Sequence, residues 1–137
     1  MIRDNSPDSN SVSHRLRVET LDRSVLNELR ELQSADDPHF LERVMTLYLT
    51  ESPKLMDQLN QSVTAANAAE IVRAAHSLKS SSGSIGAVAM GVLCAEMVAA
   101  GRAGKVSNAR DMYENVASEH ARVLAALRIE LAHSSQG

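Results

Sequence analysis

From about residue 20 onward, apolar side chains recur at intervals of three and four, the period of an α-helix rather than of a strand. Val25, Leu26, Leu29 and Leu32 mark a short helix from about Asp22 to Gln33. Asp37-Pro38 opens a second, because proline is tolerated in a first turn and aspartate can cap. That helix carries Phe40, Leu41, Val44, Leu47, Tyr48, Leu55 and Leu59, and Pro53 is expected to kink or break it after Ser52. Asn67 caps a third helix reaching about Ser84, with Glu70 placed for a reciprocal capping box. A fourth, about Ala87 to Ala100, presents Met90, Leu93, Met97 and Ala100 on one face, and Gly101 and Gly104 end it. Ser107 caps a long fifth helix, which runs to about Ala132 with Ala109, Met112, Tyr113, Val116, Val123, Leu127 and Leu131 at helical spacing.

Four long helices with short connections predict an all-α antiparallel up-down four-helix bundle, with the short N-terminal helix added at one end. Residues 1–19, rich in Ser, Asp and Asn without an apolar period, read as a disordered polar tail. The bundle domain is then 20–133, and 134–137 form a flexible C-terminal tail. A chain of 137 residues is one domain, and with 2% aromatic residues its core must pack through aliphatic side chains and alanines. A net charge of −3 argues against a nucleic-acid surface. The single cysteine, Cys94, excludes an intrachain disulfide and reads as a packing residue. No stretch is long and apolar enough to cross a bilayer, and the N-terminus has no apolar signal region. A cytoplasmic, free-standing monomer is expected.

The candidate chemistry lies on the third helix. At 100° per residue, Ile71, Ala75, Leu78, Ser82 and Ile85 share one narrow arc, and His76 points roughly 140° away from it. Its neighbours on the outer face are Ala69, Val72, Arg73, Lys79, Ser80 and Gly83. A neutral imidazole is a competent nitrogen nucleophile near neutral pH, and a phosphorylated ring nitrogen needs cationic donors nearby. Lys79 at i+3 and Arg73 one turn back can supply them. Gly83 and Gly86 leave room for an incoming partner, and Ser80 is small for the same purpose.

These residues carry a resemblance to a known family. The run Ala75-His76, then Leu78-Lys79 and Gly86-Ala87, followed by Leu93-Cys94-Ala95-Glu96 and the turn Ala100-Gly101-Arg102-Ala103-Gly104, resembles histidine-containing phosphotransfer (HPt) domains of multistep two-component phosphorelays. Upstream, Leu26, Leu29, Asp37-Pro38, Phe40-Leu41 and Leu55 through Leu59 resemble the family's first two helices, so the likeness spans about residues 20 to 130. Two positions depart from it: Ser80 stands where glycine is usual, and Gly83 where alanine or another small residue is frequent. The resemblance implies that His76 accepts a phosphoryl group from the phospho-aspartate of a hybrid kinase's receiver domain and passes it to a response regulator. Lys79 then stabilises charge, and Ala69, Val72, Arg73, Ser80, Gly83 and Gly86 form the docking surface. The chain would bind no cofactor or metal, Mg²⁺ residing in the receiver. It has no Gly-rich phosphate loop and so is expected to be a carrier without kinase activity of its own.

Two other readings compete. A bundle that binds receivers and sequesters them would need neither His76 nor Lys79. An enzyme using His76 as general base would need a carboxylate or oxyanion donor near it, and none is spaced for that on the helix. Of the remaining residues, His120 falls in the apolar stripe of the last helix and is expected to be buried. His14, His39 and His133 require no special role, the methionines read as core filler, and Glu96 and Arg102 read as solvated face. No His or carboxylate spacing suggests a metal site.

Overall fold

The computed structural model describes residues 20–136, which fold into five helices with no strand among them. The proposed tail 1–19 lies outside the described residues. Helix α1 spans Arg23–Glu31, α2 Phe40–Thr64, α3 Ala68–Ser84, α4 Val88–Arg102 and α5 Val106–Gln136. Helices α2 to α5 form the antiparallel bundle, α3 packing between α2 and α4 and α5 closing the ring against both. Leu41, Met45, Leu59, Ile71, Leu78, Met90, Met97, Val116, Val123 and Leu127 fill its interior.

Short α1 covers one end of the bundle. Asp22 caps it by accepting the Ser24 N–H at 2.9 Å, and the Asp22 N–H donates to the Gly86 carbonyl at 2.7 Å. The Arg23 guanidinium forks onto both carboxylate oxygens of the buried Glu130 on α5, joining residues far apart in sequence.

Helix α2 does not show the break that Pro53 could impose after Ser52. It runs unbroken through Pro53, because Leu41, Met45, Tyr48, Ser52, Met56, Leu59 and Val63 stay in phase on one buried face to either side. Burial worth roughly 1.5–3 kcal/mol for each large apolar side chain outweighs the roughly 3 kcal/mol that an internal proline costs. The buried stripe is also rotated from the expected one: Met45 and Ser52 face inward, whereas Leu47 stays 62% exposed. Asp37 does not cap; the helix starts at Phe40 and the Asp37 carboxylate pairs with Arg43 at 2.8 Å.

Three tight connections share one geometry, a helix closed by a residue at positive φ and a six-to-one hydrogen bond. Ala66 (φ 56°), Gly86 (77°) and Gly104 (72°) hold the positive φ, and Asn67, Ala87 and Lys105 donate to the Ser62, Ser82 and Ala100 carbonyls at 2.8–2.9 Å. Gly101, expected to end α4, lies buried within it: a Cβ there would sit 2.7 Å from Val72 Cγ2 and 3.3 Å from the Ala68 carbonyl. Its glycine lets α3 and α4 approach closely. Ser107 falls inside the first turn of α5, and that helix continues over 134–136, beyond the expected Ala132. The Asn67 cap forms only one half of the expected box. Asn67 Oδ1 accepts the Glu70 N–H at 3.1 Å, but the Glu70 carboxylate turns to Arg73.

A polar thread crosses the apolar interior. The Tyr48 hydroxyl and Ser82 Oγ share a 3.0 Å hydrogen bond, and Ser52 Oγ lies 2.8 Å from His120 Nε2. His120 is buried as expected, its ring centroid 6.2 Å from that of Tyr48. Desolvation pushes the Tyr48 hydroxyl up to about 12 and holds the His120 imidazole below its usual 6.5. It pushes the neighbouring Glu119 carboxyl above its usual 4.5. The two imposed signs oppose each other. The unfolded chain binds a proton at His120 before the native chain does, so that contribution is complete above pH 6.5 and drains as pH falls. Glu119 binds its proton first in the native state, so its term weakens stability as pH rises from 4.5. From pH 7 to 5 a His120→Gln protein, which keeps a partner for Ser52, should lose stability less steeply than the parent in urea titrations. The difference in slope is at most about 1.4 kcal/mol per pH unit. Parallel slopes would show that His120 is protonated alike in both states.

Candidate functional site on helix α3

Helix α3 divides cleanly into two faces. Ile71, Ala74, Ala75, Leu78 and Ser82 are buried, while His76, Ser77, Lys79, Ser80 and Gly83 are exposed. Among the described residues the His76 imidazole has no hydrogen-bond or ionic partner, and neither has the Lys79 ammonium one turn on. An imidazole that is exposed and engaged by no carboxylate is free to meet a reagent brought by another molecule. A cation at i+3 stands beside it on the helix surface.

The other residues expected around His76 divide. Ala69, Ser80 and Gly83 lie on the exposed face, and at Gly83 a Cβ would meet nothing within 4 Å. Arg73 is exposed, but its guanidinium is engaged by Glu70, which sets its resting direction away from the imidazole and raises its pKa through that hydrogen bond. Val72 is half-buried against Gly101 of α4 rather than fully outward. Gly86 is the correction. It is buried, its positive φ makes the α3–α4 turn, and a Cβ would lie 3.0 Å from both the Asp22 carbonyl and Val25 Cβ. It seats α1 and offers no surface to a partner. Ser81 and Ser84 return their hydroxyls to α3 carbonyls at 3.1–3.2 Å, so they are plain helix surface.

Burial pushes the Cys94 thiol up to about 12, which fits a packing residue and not a nucleophile. No cluster of three or more potential metal ligands occurs among the described residues. None of their helices is long and apolar enough to cross a membrane.

The sequence profile of the Hpt domain matches residues 43–136, a stretch that holds α3 whole, with His76 at the middle of that helix. The chain belongs to the Hpt domain family. A solved structure agrees with that placement: histidine-containing phosphotransfer protein B (HptB) from Pseudomonas aeruginosa PAO1 superposes with a TM-score of 0.76 at 25% sequence identity, over 83% of this chain and 96% of that one. No curated protein sequence shows significant similarity to the chain. As an Hpt domain, the protein is a histidine phosphotransfer module of a phosphorelay, a phosphocarrier class distinct from kinases. Its partners belong to the receiver domains of kinases and response regulators. Helix α4 holds one feature that the sequence reading passed over. Val88 and Val92 remain 54% exposed on the side away from the core, a signal present in how few of its residues are charged.

Proposed function

We propose that His76 is the phosphoryl acceptor of this Hpt domain and that Lys79 stabilises the charge that arrives with the group. The observation that supports this most directly is the exposed, unengaged imidazole with an unengaged lysine at i+3. A ring nitrogen lone pair attacks phosphorus in the aspartyl phosphate of a receiver. The N–P bond forms as the P–O bond to the aspartate breaks, the carboxylate departs, and the proton on the other ring nitrogen passes to water. Running the same exchange towards a second receiver's aspartate discharges the carrier. The receiver supplies the acidic pocket and its Mg²⁺, while this chain supplies nucleophile, cation and surface. It acts as a monomer without ATP. Ala69, Ser80 and Gly83, with the exposed edge of Val72 and the Arg73 guanidinium, border the contact; Gly86 is withdrawn from it.

The test is incubation with a phosphorylated receiver domain and Mg²⁺, followed by intact mass and peptide mapping. An acid-labile, base-stable phosphate on His76 is expected. Receiver binding with no transfer, across a panel of receivers, would make the chain a sequestering module instead. Lys79→Ala should slow transfer roughly ten- to a hundredfold, the loss of one hydrogen bond to a charged group at about 1.5–3 kcal/mol, with far-UV ellipticity and melting unchanged. Lys79→Arg should recover part of the rate. Parental transfer rates in the alanine variant would remove the assigned role.

A further inference from the structure

Helix α4 carries only two charged residues, Glu96 and Arg102, in fifteen. Met90, Cys94, Met97, Val98, Ala100 and Gly101 are buried. On the outward side Val88 and Val92 are each 54% exposed, with Ala95 and Ala99 following at helical spacing. Apolar surface kept in register along a helix marks a contact. Its size limits what makes that contact. Fifteen residues at 1.5 Å each give a strip roughly 22 Å long and about 10 Å wide, well short of the roughly 800 Å² per partner of a stable association between folded proteins. A short segment tethered nearby needs no such area, because its binding is intramolecular.

The chain itself supplies one. Thr20 and Leu21 are buried, Thr20 Oγ1 accepts a hydrogen bond from Arg122 of α5 at 3.2 Å, and the Asp22 N–H reaches the carbonyl of Gly86, just before Val88. The described chain therefore begins on the α4–α5 side of the ring, across the bundle from the α2–α3 groove beneath Leu47. Immediately upstream stands His14-Arg15-Leu16-Arg17-Val18-Glu19, two aliphatic residues interleaved with two arginines. Charge fits as well. Glu96 is exposed and has no ionic partner among the described residues, whereas Arg122 is engaged by Glu119. Reach decides which charge the arginines meet. Along the α4 rod Glu96 lies about 15 Å from Gly86, and the backbone from Thr20 back to Arg15 spans up to about 17 Å. Arg102 stands roughly 24 Å out, beyond that span.

We propose that residues 14–18 lie along the outward face of α4, Leu16 and Val18 covering Val88 and Val92 while Arg15 reaches Glu96 at the edge. The occupant is this chain's own segment because it starts beside the strip, carries the complementary charge and matches the strip in length. It holds the face at the high local concentration of a tethered ligand, so anything else that binds this side of α4 must first displace it.

The experiment treats the full chain with an arginine-specific protease under native conditions and follows the Arg15–Leu16 bond by intact mass, because cleavage of a docked segment tracks the fraction undocked. Val92→Lys, Glu96→Lys and Leu47→Lys are compared with the parent; all three positions are exposed, the added lysines create no new sites, and circular dichroism checks each fold. The parent should be cut about tenfold more slowly than a free peptide of residues 8–22. Val92→Lys, which removes apolar cover and repels the arginines, should restore most of the peptide's rate. Glu96→Lys should raise the parental rate about threefold, and Leu47→Lys should leave it within about twofold. A parent cut at the peptide's rate overturns the proposal, as does protection that survives Val92→Lys. An unchanged rate in Glu96→Lys overturns the pairing with Arg15. Greater acceleration by Leu47→Lys than by Val92→Lys places the segment over the α2–α3 groove instead. Protection that grows with protein concentration assigns the segment to the face of a second copy and overturns the intramolecular contact.

Discussion

A His76→Ala protein takes up no phosphoryl group from a phosphorylated receiver and melts where the parent melts. The side chain lies on the exposed face of α3, and among the described residues it has no hydrogen-bond or ionic partner. Its removal opens no cavity and orphans no buried group, so the change in stability should stay within about 0.5 kcal/mol. Alanine is also the best helix former, so α3 gains slightly in propensity if anything. The expected result is therefore a complete loss of label in intact-mass measurements beside superimposable thermal melts. Residual acid-labile phosphate elsewhere in the chain would show a second acceptor. A cooperative loss of the fold would show that the imidazole is structural.

Gly86→Ala should do the converse, damaging the fold while sparing the chemistry. The backbone there is held at φ 77°, which costs a residue with a Cβ roughly 1–2 kcal/mol. The new methyl would also sit 3.0 Å from the Asp22 carbonyl and from Val25 Cβ, and overpacking of this kind costs about 1–3 kcal/mol. Urea titration should show a loss of about 2–5 kcal/mol, with the start of α1 displaced from the turn. Transfer per folded molecule should be unchanged at temperatures where the variant is native. A stable variant that transfers poorly would return Gly86 to the docking surface.

These two positions show what a sequence can and cannot disclose. The outward placement of His76 followed from the spacing of Ile71, Ala75, Leu78 and Ser82, a local pattern that needs no knowledge of the other helices. Gly86 was visible as part of the same motif, yet its burial depends on α1, whose contact with it crosses more than sixty residues. The unbroken α2 was hidden for a related reason. Proline's cost is local and legible, whereas the in-phase burial of Met45, Tyr48, Ser52 and Met56 that offsets it depends on α3 and α5. Ser52 is the plainest case: it reads as polar surface until its partner His120, on another helix, is in place. Gly101 likewise reads as a helix terminator, since nothing in its neighbourhood announces Val72 of α3.

The thread of Tyr48, Ser82, Ser52 and His120 also bears on where the nucleophile stands. A core of leucine, methionine and alanine is nearly indifferent to which turn of one helix faces which turn of the next. A slip of α3 by one turn along α2 would shift it about 5.4 Å and still bury apolar against apolar. It would also strip Ser82 from Tyr48, leaving two hydroxyls unpaired in the interior at about 1–3 kcal/mol each, and a slip of α5 would do the same to Ser52 and His120. The thread therefore indexes the helices, like teeth that allow a ratchet one seat. His76 stands less than two turns from Ser82 on the same rigid rod, so its height above the bundle, and the distance a visiting aspartate must reach, are set by hydrogen bonds that no partner ever touches.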